Sequence, residues 1–247
     1  MTRVFGEVAA LYDDIRPGYP AALAACLREY RSGEFGSVVD IGAGTGKGTA
    51  ALLTLAAPIT CVEPDERMAA LLAAKFPQVQ VVNTTFEQWS APAGGVDLIA
   101  CATAWHWMAA ETRNQHAFDA LAPGGVLAIF HNRFEYVDSA VSSALFEVLF
   151  SVDPTVESRP AHWSLADVRA SGLFADVTEH EWHSYPVLST GQYLQLTQTF
   201  SPFRRHSPAD QRRTLTGLAD VLAGFGGTVT MDIRTLVTLA RRPFADR

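Results

Sequence analysis

The chain of 247 residues is longer than one small domain needs and shorter than two ordinary ones take, which favours a single α/β domain carrying an insertion. Hydrophobic residues make up 48% and charged residues 18%, a globular composition that excludes disorder. Nineteen basic against 26 acidic residues leave a net charge of −7, the wrong sign for holding nucleic acid by counterion release, so no nucleic-acid partner is expected.

In chain order, the segment MTRVFGEVAALYDD has no continuous apolar stretch of the signal-peptide kind and turns acidic at Asp13 and Asp14. The uncharged run 48–62 contains Pro58 and falls short of the roughly twenty residues a bilayer span requires. Cys26, Cys61 and Cys101 form no CxxC pair and read as small buried hydrophobes in a reducing compartment. The expectation is a cytoplasmic protein with no membrane partner, monomeric or a homodimer.

Five short apolar runs, 37–41, 59–62, 79–82, 96–101 and 126–130, are predicted as buried parallel strands, because a strand covered on both faces needs continuous hydrophobicity. Helix-forming stretches at 49–57, 65–75, 111–121 and 139–150 separate or follow them, with Asp65 and Glu66 placing acid at a helix start. A two-proline loop after residue 150 leads to a helix candidate at 164–171, then to strands at 177–187 and 228–240 with a helix candidate at 210–222 between them. The β-branched run TVTMDIRTLVTL suits a central strand. The fold class expected is a doubly wound, Rossmann-like α/β sheet, seven-stranded and mostly parallel, with helices on both faces and a small helical lid.

The sharpest motif is VVDIGAGTGKG, where a strand ends and glycines fall at 42, 44, 46 and 48 before a helix. Glycine lets a ligand approach the backbone, and a following helix start offers free N–H groups. A phosphate-binding GxxxxGK[ST] fails, because Ile41 stands five positions before Gly46 and Gly48 stands where Ser or Thr would hold magnesium. A dinucleotide GxGxxG counted from Gly42 meets Lys47 at its sixth position, which disfavours NAD without excluding it. Glu63, in CVEPD, closes the second strand about twenty residues on, the place of a carboxylate that accepts both hydroxyls of a ribose. The alternative, a tight turn with Glu63 and Asp65 capping a helix, stays open for each feature alone; the two together favour a ligand site.

VVDIGAGTGKGT, CVEPDERM, VVNTTFEQW, VDLIACATAWHWM and LAPGGVLAIFHNR together resemble the class I S-adenosylmethionine-dependent methyltransferases, in the methyltransferase-11-like branch of small-molecule enzymes. AWHW and the leader YDDIRPGYP look most like the trans-aconitate-type subgroup. The resemblance implies S-adenosyl-L-methionine as cofactor and one methyltransferase domain: an N-terminal cap 1–30, a cofactor-binding core 37–132, a lid 187–227 and a final strand 228–240. It implies that Asp40, Gly42, Gly44 and Gly46 hold the methionine part, that Glu63 and Pro64 meet the ribose, that Thr85 and Phe86 flank the adenine, and that Ala102 lines the cofactor pocket. It implies too that the leader folds over the cofactor, with Tyr12 contributing and Arg16 a candidate partner for the methionine carboxylate; Asp13 or Asp14 is the competing partner for Arg16. The Asp/Asn-Pro-Pro-Tyr signature of amino methyltransferases is missing after the fourth strand, which leaves a small-molecule acceptor.

Displacement at a sulfonium asks the protein for alignment, desolvation and sometimes a base. His106 and His131 follow the fourth and fifth strands, the edge at which open α/β sheets bind ligands, and are the candidate catalytic residues. Tyr19, Trp105, Trp107 and Arg133 are candidates for acceptor binding, and each has a packing or solvated alternative. His180 and His183, three apart on a predicted strand, face opposite sides and do not suggest a metal site, so no metal is expected. The segment 187–227, with Arg204, Arg205 and His206, is expected to act as a lid. The leading function is methyl transfer to oxygen, and the alternative is a cofactor-binding regulatory or assembly protein of the same fold.

Overall fold

Alternation of apolar strands and amphipathic helices builds a sheet covered on both faces. A computed structural model describes residues 9–154 and 159–244; the first eight residues of the expected cap lie outside these. The elements are α1 (Ala9–Ile15), α2 (Ala22–Arg31), β1 (Val38–Ile41), α3 (Lys47–Leu52), β2 (Ile59–Val62), α4 (Glu66–Lys75), β3 (Gln80–Val82), β4 (Val96–Ala102), α5 (Arg113–Ala120) and β5 (Leu121–Tyr136). They continue as α6 (Ser139–Val152), α7 (Trp163–Ser171), β6 (Ala175–Ser184), β7 (Val187–Ser189), α8 (Thr190–Thr197), α9 (Ser201–Arg205), α10 (Pro208–Gly224) and β8 (Thr228–Arg241).

The strand order is β3-β2-β1-β4-β5-β8-β6, with β7 paired to β8. The pairs β1–β2, β1–β4, β2–β3 and β4–β5 are parallel. Main-chain bonds from Gly124 to Arg242 and from Val137 to Thr230 run β8 against β5. All seven predicted strands are present, and the short β7 adds an eighth. It arises because the predicted strand 177–187 breaks before Val187, where Pro186 has no N–H to give a ladder. The fifth strand runs well beyond the predicted 126–130, because residues after His131 are only half-buried and escape a search for continuous hydrophobicity. Asp65 caps α4, accepting from the N–H groups of Arg67 and Met68, as the acidic pair at that helix start predicts.

The described chain divides into two compact units. The first comprises residues 17–132, 161–182 and 235–244. Its strands alternate between two cores: Val38, Leu98, Ala100, Val126, Ala128 and Phe130 meet Leu23, Leu27 and Leu52 on one face. Val39, Ile41, Ile99, Cys101, Leu127 and Ile129 meet Ala117, Ala120 and Val168 on the other. Burying each large side chain contributes about 1.5–3 kcal/mol, and this two-sided burial explains the continuous hydrophobicity of the short strands. The second unit comprises residues 9–16, 133–160 and 183–234, residues 155–158 aside. Its core joins Val141 and Leu145 of α6, Tyr193 of α8, and Leu218 and Leu222 of α10 to Val229, Met231 and Ile233 of β8. None of the helices among the described residues is long and apolar enough to cross a membrane.

Candidate cofactor and acceptor site

The parallel register sets the strand ends of the first unit along one edge. Ile41 pairs with Val62, Val62 with Val82, and Ala102 with Phe130, so the residues that follow them, including Glu63, Thr103 and His131, emerge together. Open α/β sheets bind ligands at this edge.

Gly42, Gly44 and Gly46 take left-handed φ values of 63°, 57° and 87°, which glycine adopts at little cost. The three differ in surroundings. A Cβ on Gly42 would lie 2.5 Å from Cβ of Ala104, and one on Gly46 would lie 2.5 Å from Cε2 of Phe76; at Gly44 the nearest atom is Sδ of Met68 at 3.9 Å. Gly42 and Gly46 are therefore required by packing, while Gly44 leaves room for an approaching group. The Gly44 N–H donates to Oε2 of Glu63 at 2.8 Å, and the Asp65 N–H donates to Oε1 at 2.9 Å. Burial pushes the Glu63 carboxyl above its ordinary range, with these two bonds opposing. Pro64 beside it is exposed.

Asp40 is fully buried beneath the turn. Its Oδ2 accepts from the Thr49 hydroxyl at 2.7 Å, and its Oδ1 has no partner. Burial pushes its carboxyl up to about 7, against the pull of the Thr49 bond. Ala102 packs on α3, where a Cβ on Gly48 would stand 2.6 Å from its own. Phe86 is buried, edge-on to His116 with 4.4 Å between ring centroids.

Beyond β4, Trp105, His106 and Trp107 form one 3-10 turn. Trp105 is buried in the second core, His106 is half-buried and Trp107 is exposed. His131 is buried. The ring of Trp163, on α7, stands 6.2 Å from His106 and 6.2 Å from His131, so a residue with no motif around it joins the two candidate histidines. Tyr19 donates to or accepts from the Thr103 hydroxyl at 2.8 Å and sets its ring edge-on to Phe130. Thr103 itself has φ of 56°, unusual for a β-branched residue and a mark of local strain.

Three sequence candidates belong to the second unit. Arg16 donates through Nε to Oγ1 of Thr199 at 2.8 Å and lies over the rings of Phe200, Tyr12 and Phe134. Thr199, 183 residues away, is thus a partner of Arg16 that no sequence spacing suggests. Arg133 donates to the carbonyl of Arg159 at 2.8 Å. In the same unit His183 pairs with Asp232 at 2.9 Å, and His206 with Asp153 at 3.2 Å.

The site also contains an ion pair that sequence reasoning missed. Arg113 of α5 donates to Oδ1 of Asp167 of α7 at 2.5 Å and to Oδ2 at 3.1 Å. Trp105 Nε1 donates to the same Oδ2 at 2.9 Å, and Asn114 Nδ2 does so at 3.1 Å. Burial pushes the Asp167 carboxyl up, but the bonds from Arg113, Trp105 and Asn114 outweigh it and hold it below the usual range.

The sequence model of the methyltransferase domain family matches residues 38–125, the stretch that forms β1 through the start of β5. An uncharacterized methyltransferase of Mycobacterium tuberculosis is 31% identical over 132 residues, covering 53% of this chain and 53% of that protein. The chain thus spans about half the length of the curated relatives it matches. Among solved structures, a candidate type II methyltransferase of Anaeromyxobacter dehalogenans superposes with a TM-score of 0.70 at 18% identity, covering 93% of this chain and 99% of that one. Haemonchus contortus phosphoethanolamine N-methyltransferase 2, solved with phosphomonomethylethanolamine and S-adenosylhomocysteine, has a TM-score of 0.58 at 14% identity, covering 98% of this chain and 58% of that one. At these identities the solved structures establish the fold.

Proposed function

We propose, from the match of residues 38–125 to the methyltransferase domain family, that the chain transfers the methyl group of S-adenosyl-L-methionine to an oxygen of a small-molecule acceptor, a carboxylate or a hydroxyl. The observation that carries this is the Gly44–Glu63 bond. One main-chain N–H on each Glu63 oxygen fixes the carboxylate at the strand-end edge and leaves lone pairs for the paired hydroxyls of a ribose. Gly44 leaves space for the methionine part. The unpartnered Oδ1 of Asp40 places an acid beneath the turn, and a cation bound nearby would draw off its proton.

S-adenosylmethionine supplies, when bound, a methyl group on a sulfonium leaving group already activated by its charge. The chain's own part is alignment, exclusion of water and acceptance of a proton. His106 and His131, beside the Trp163 ring, are the groups we assign to take a proton from an acceptor hydroxyl or to orient a carboxylate.

Calorimetric titration with S-adenosylmethionine, S-adenosylhomocysteine and NAD tests the cofactor, and turnover with a panel of carboxylic acids, phenols and amines tests the acceptor. Binding of the first two and formation of methyl esters or ethers is expected. Binding of NAD alone overturns the cofactor assignment, and turnover of amines alone moves the transfer to nitrogen.

A further inference from the structure

We propose that Asp167 is a positioning residue of the acceptor site, fixing through Trp105 and Arg113 the turn that presents His106. The juxtaposition is specific. Trp105 is held at two points: its indole N–H by Asp167 at 2.9 Å, and its main-chain carbonyl by the Arg113 Nη1 at 3.2 Å. Arg113 gives Nε and Nη2 to Asp167, so one carboxylate and one guanidinium close a ring through Trp105. The guanidinium lies 5.7 Å from the ring centroids of both Trp105 and Trp163. Trp163 precedes Asp167 by one helical turn on α7, so this helix supplies both the carboxylate that holds Trp105 and the ring that stands against His106 and His131.

Such a pair is by itself weak evidence of a stabilising role. Apolar residues of similar volume often replace a buried ion pair without loss, whereas converging hydrogen bonds set an orientation. In the turn that follows, the Trp107 N–H reaches the Ala104 carbonyl at 2.9 Å and the Met108 N–H that of Trp105 at 3.4 Å, and just beyond it the Ala109 N–H donates to Oε1 of Glu87 at 3.2 Å. The Asp167–Arg113–Trp105 ring fixes the first residue of that turn. The consequence for acceptor turnover rests on the function proposed above; the mechanical claim does not.

The test replaces the pair without stranding a buried charge, in the double variant Arg113→Met/Asp167→Leu, with Trp105→Phe removing the indole N–H together with part of the ring. Hydrogen exchange at the main-chain N–H groups of Trp107 and Met108 should quicken at least tenfold in both variants, while affinity for S-adenosylhomocysteine stays within about threefold of the parent. For whichever acceptor the parent methylates, kcat should fall more than tenfold with KM changed less. Should the double variant fail to fold, Trp105→Phe alone decides the exchange readout. Unchanged exchange in a folded variant overturns the positioning role. Faster exchange with parental kcat overturns its link to chemistry. A parent that does not bind S-adenosylhomocysteine defeats the proposed function instead, and the exchange measurement still judges the ring.

Discussion

The main-chain N–H of Gly44 donates to Oε2 of Glu63 at 2.8 Å across 19 residues of chain, tying the turn after β1 to the acid that closes β2. Replacing Glu63 by Ala removes this tie and the charge-assisted bonds we assign to the ribose. Affinity for S-adenosylhomocysteine should drop about ten- to a hundredfold, corresponding to roughly 1.5–3 kcal/mol. Parental affinity in calorimetry would take Glu63 out of the site.

Asp40 predicts a pH dependence of stability. Its carboxyl titrates at about 7 in the folded protein, against about 3.9 for an unfolded chain, so the folded state holds an extra proton between those values. The stabilisation is complete below the unfolded value and is lost as pH rises through 7. Without ligand, the melting temperature should therefore decline from pH 5 to pH 8, and Asp40→Asn should flatten much of the decline. Burial raises Glu63 as well, which contributes with the same sign. A parental melting temperature independent of pH across this range contradicts the prediction.

The glycines should separate into two kinds. Gly46→Ala would force a methyl to within 2.5 Å of Phe76 and 2.6 Å of Leu72 in a left-handed backbone, and should cost about 2–4 kcal/mol in urea unfolding. Gly44→Ala meets nothing closer than 3.9 Å and should cost about 1–2 kcal/mol, with its larger effect on cofactor affinity. Equal losses of stability would show that packing does not distinguish the two.

His106→Ala should leave cofactor affinity nearly intact and lower turnover by about 10²–10⁴-fold for an acceptor that must lose a proton. A carboxylic acid is ionised at neutral pH and needs no base, so with that acceptor the damage should fall mainly on KM. Parental turnover in a folded, cofactor-binding variant would transfer the role to His131, whose ring stands at the same 6.2 Å from Trp163.

The strands, the glycine turn, the Asp65 cap and the acid closing β2 were legible in the sequence because each depends on neighbours in the chain: runs of apolar residues, a left-handed turn, a side chain reaching N–H groups two or three residues on. Spacing along the chain is enough to reach Glu63. The distinction among the glycines was beyond it, since Gly46 is explained by Leu72 on α4 and Phe76 just after it, and nothing beside Gly46 announces them. Likewise Phe86 follows the third strand as expected, but its ring lies in the core against His116 and Trp89.

Only the tertiary structure decided what surrounds the histidines. Arg113 and Asp167 are 54 residues apart, and α7 comes to the strand-end edge because of the face of the sheet that its Val168 buries. Arg16 finds Thr199 in the same way, across 183 residues. A local pattern records which face of a strand or helix is apolar; it does not record which element covers that face. The cofactor turn, built from consecutive residues, could be read directly, whereas the setting of His106 depends on a helix whose place is fixed by packing.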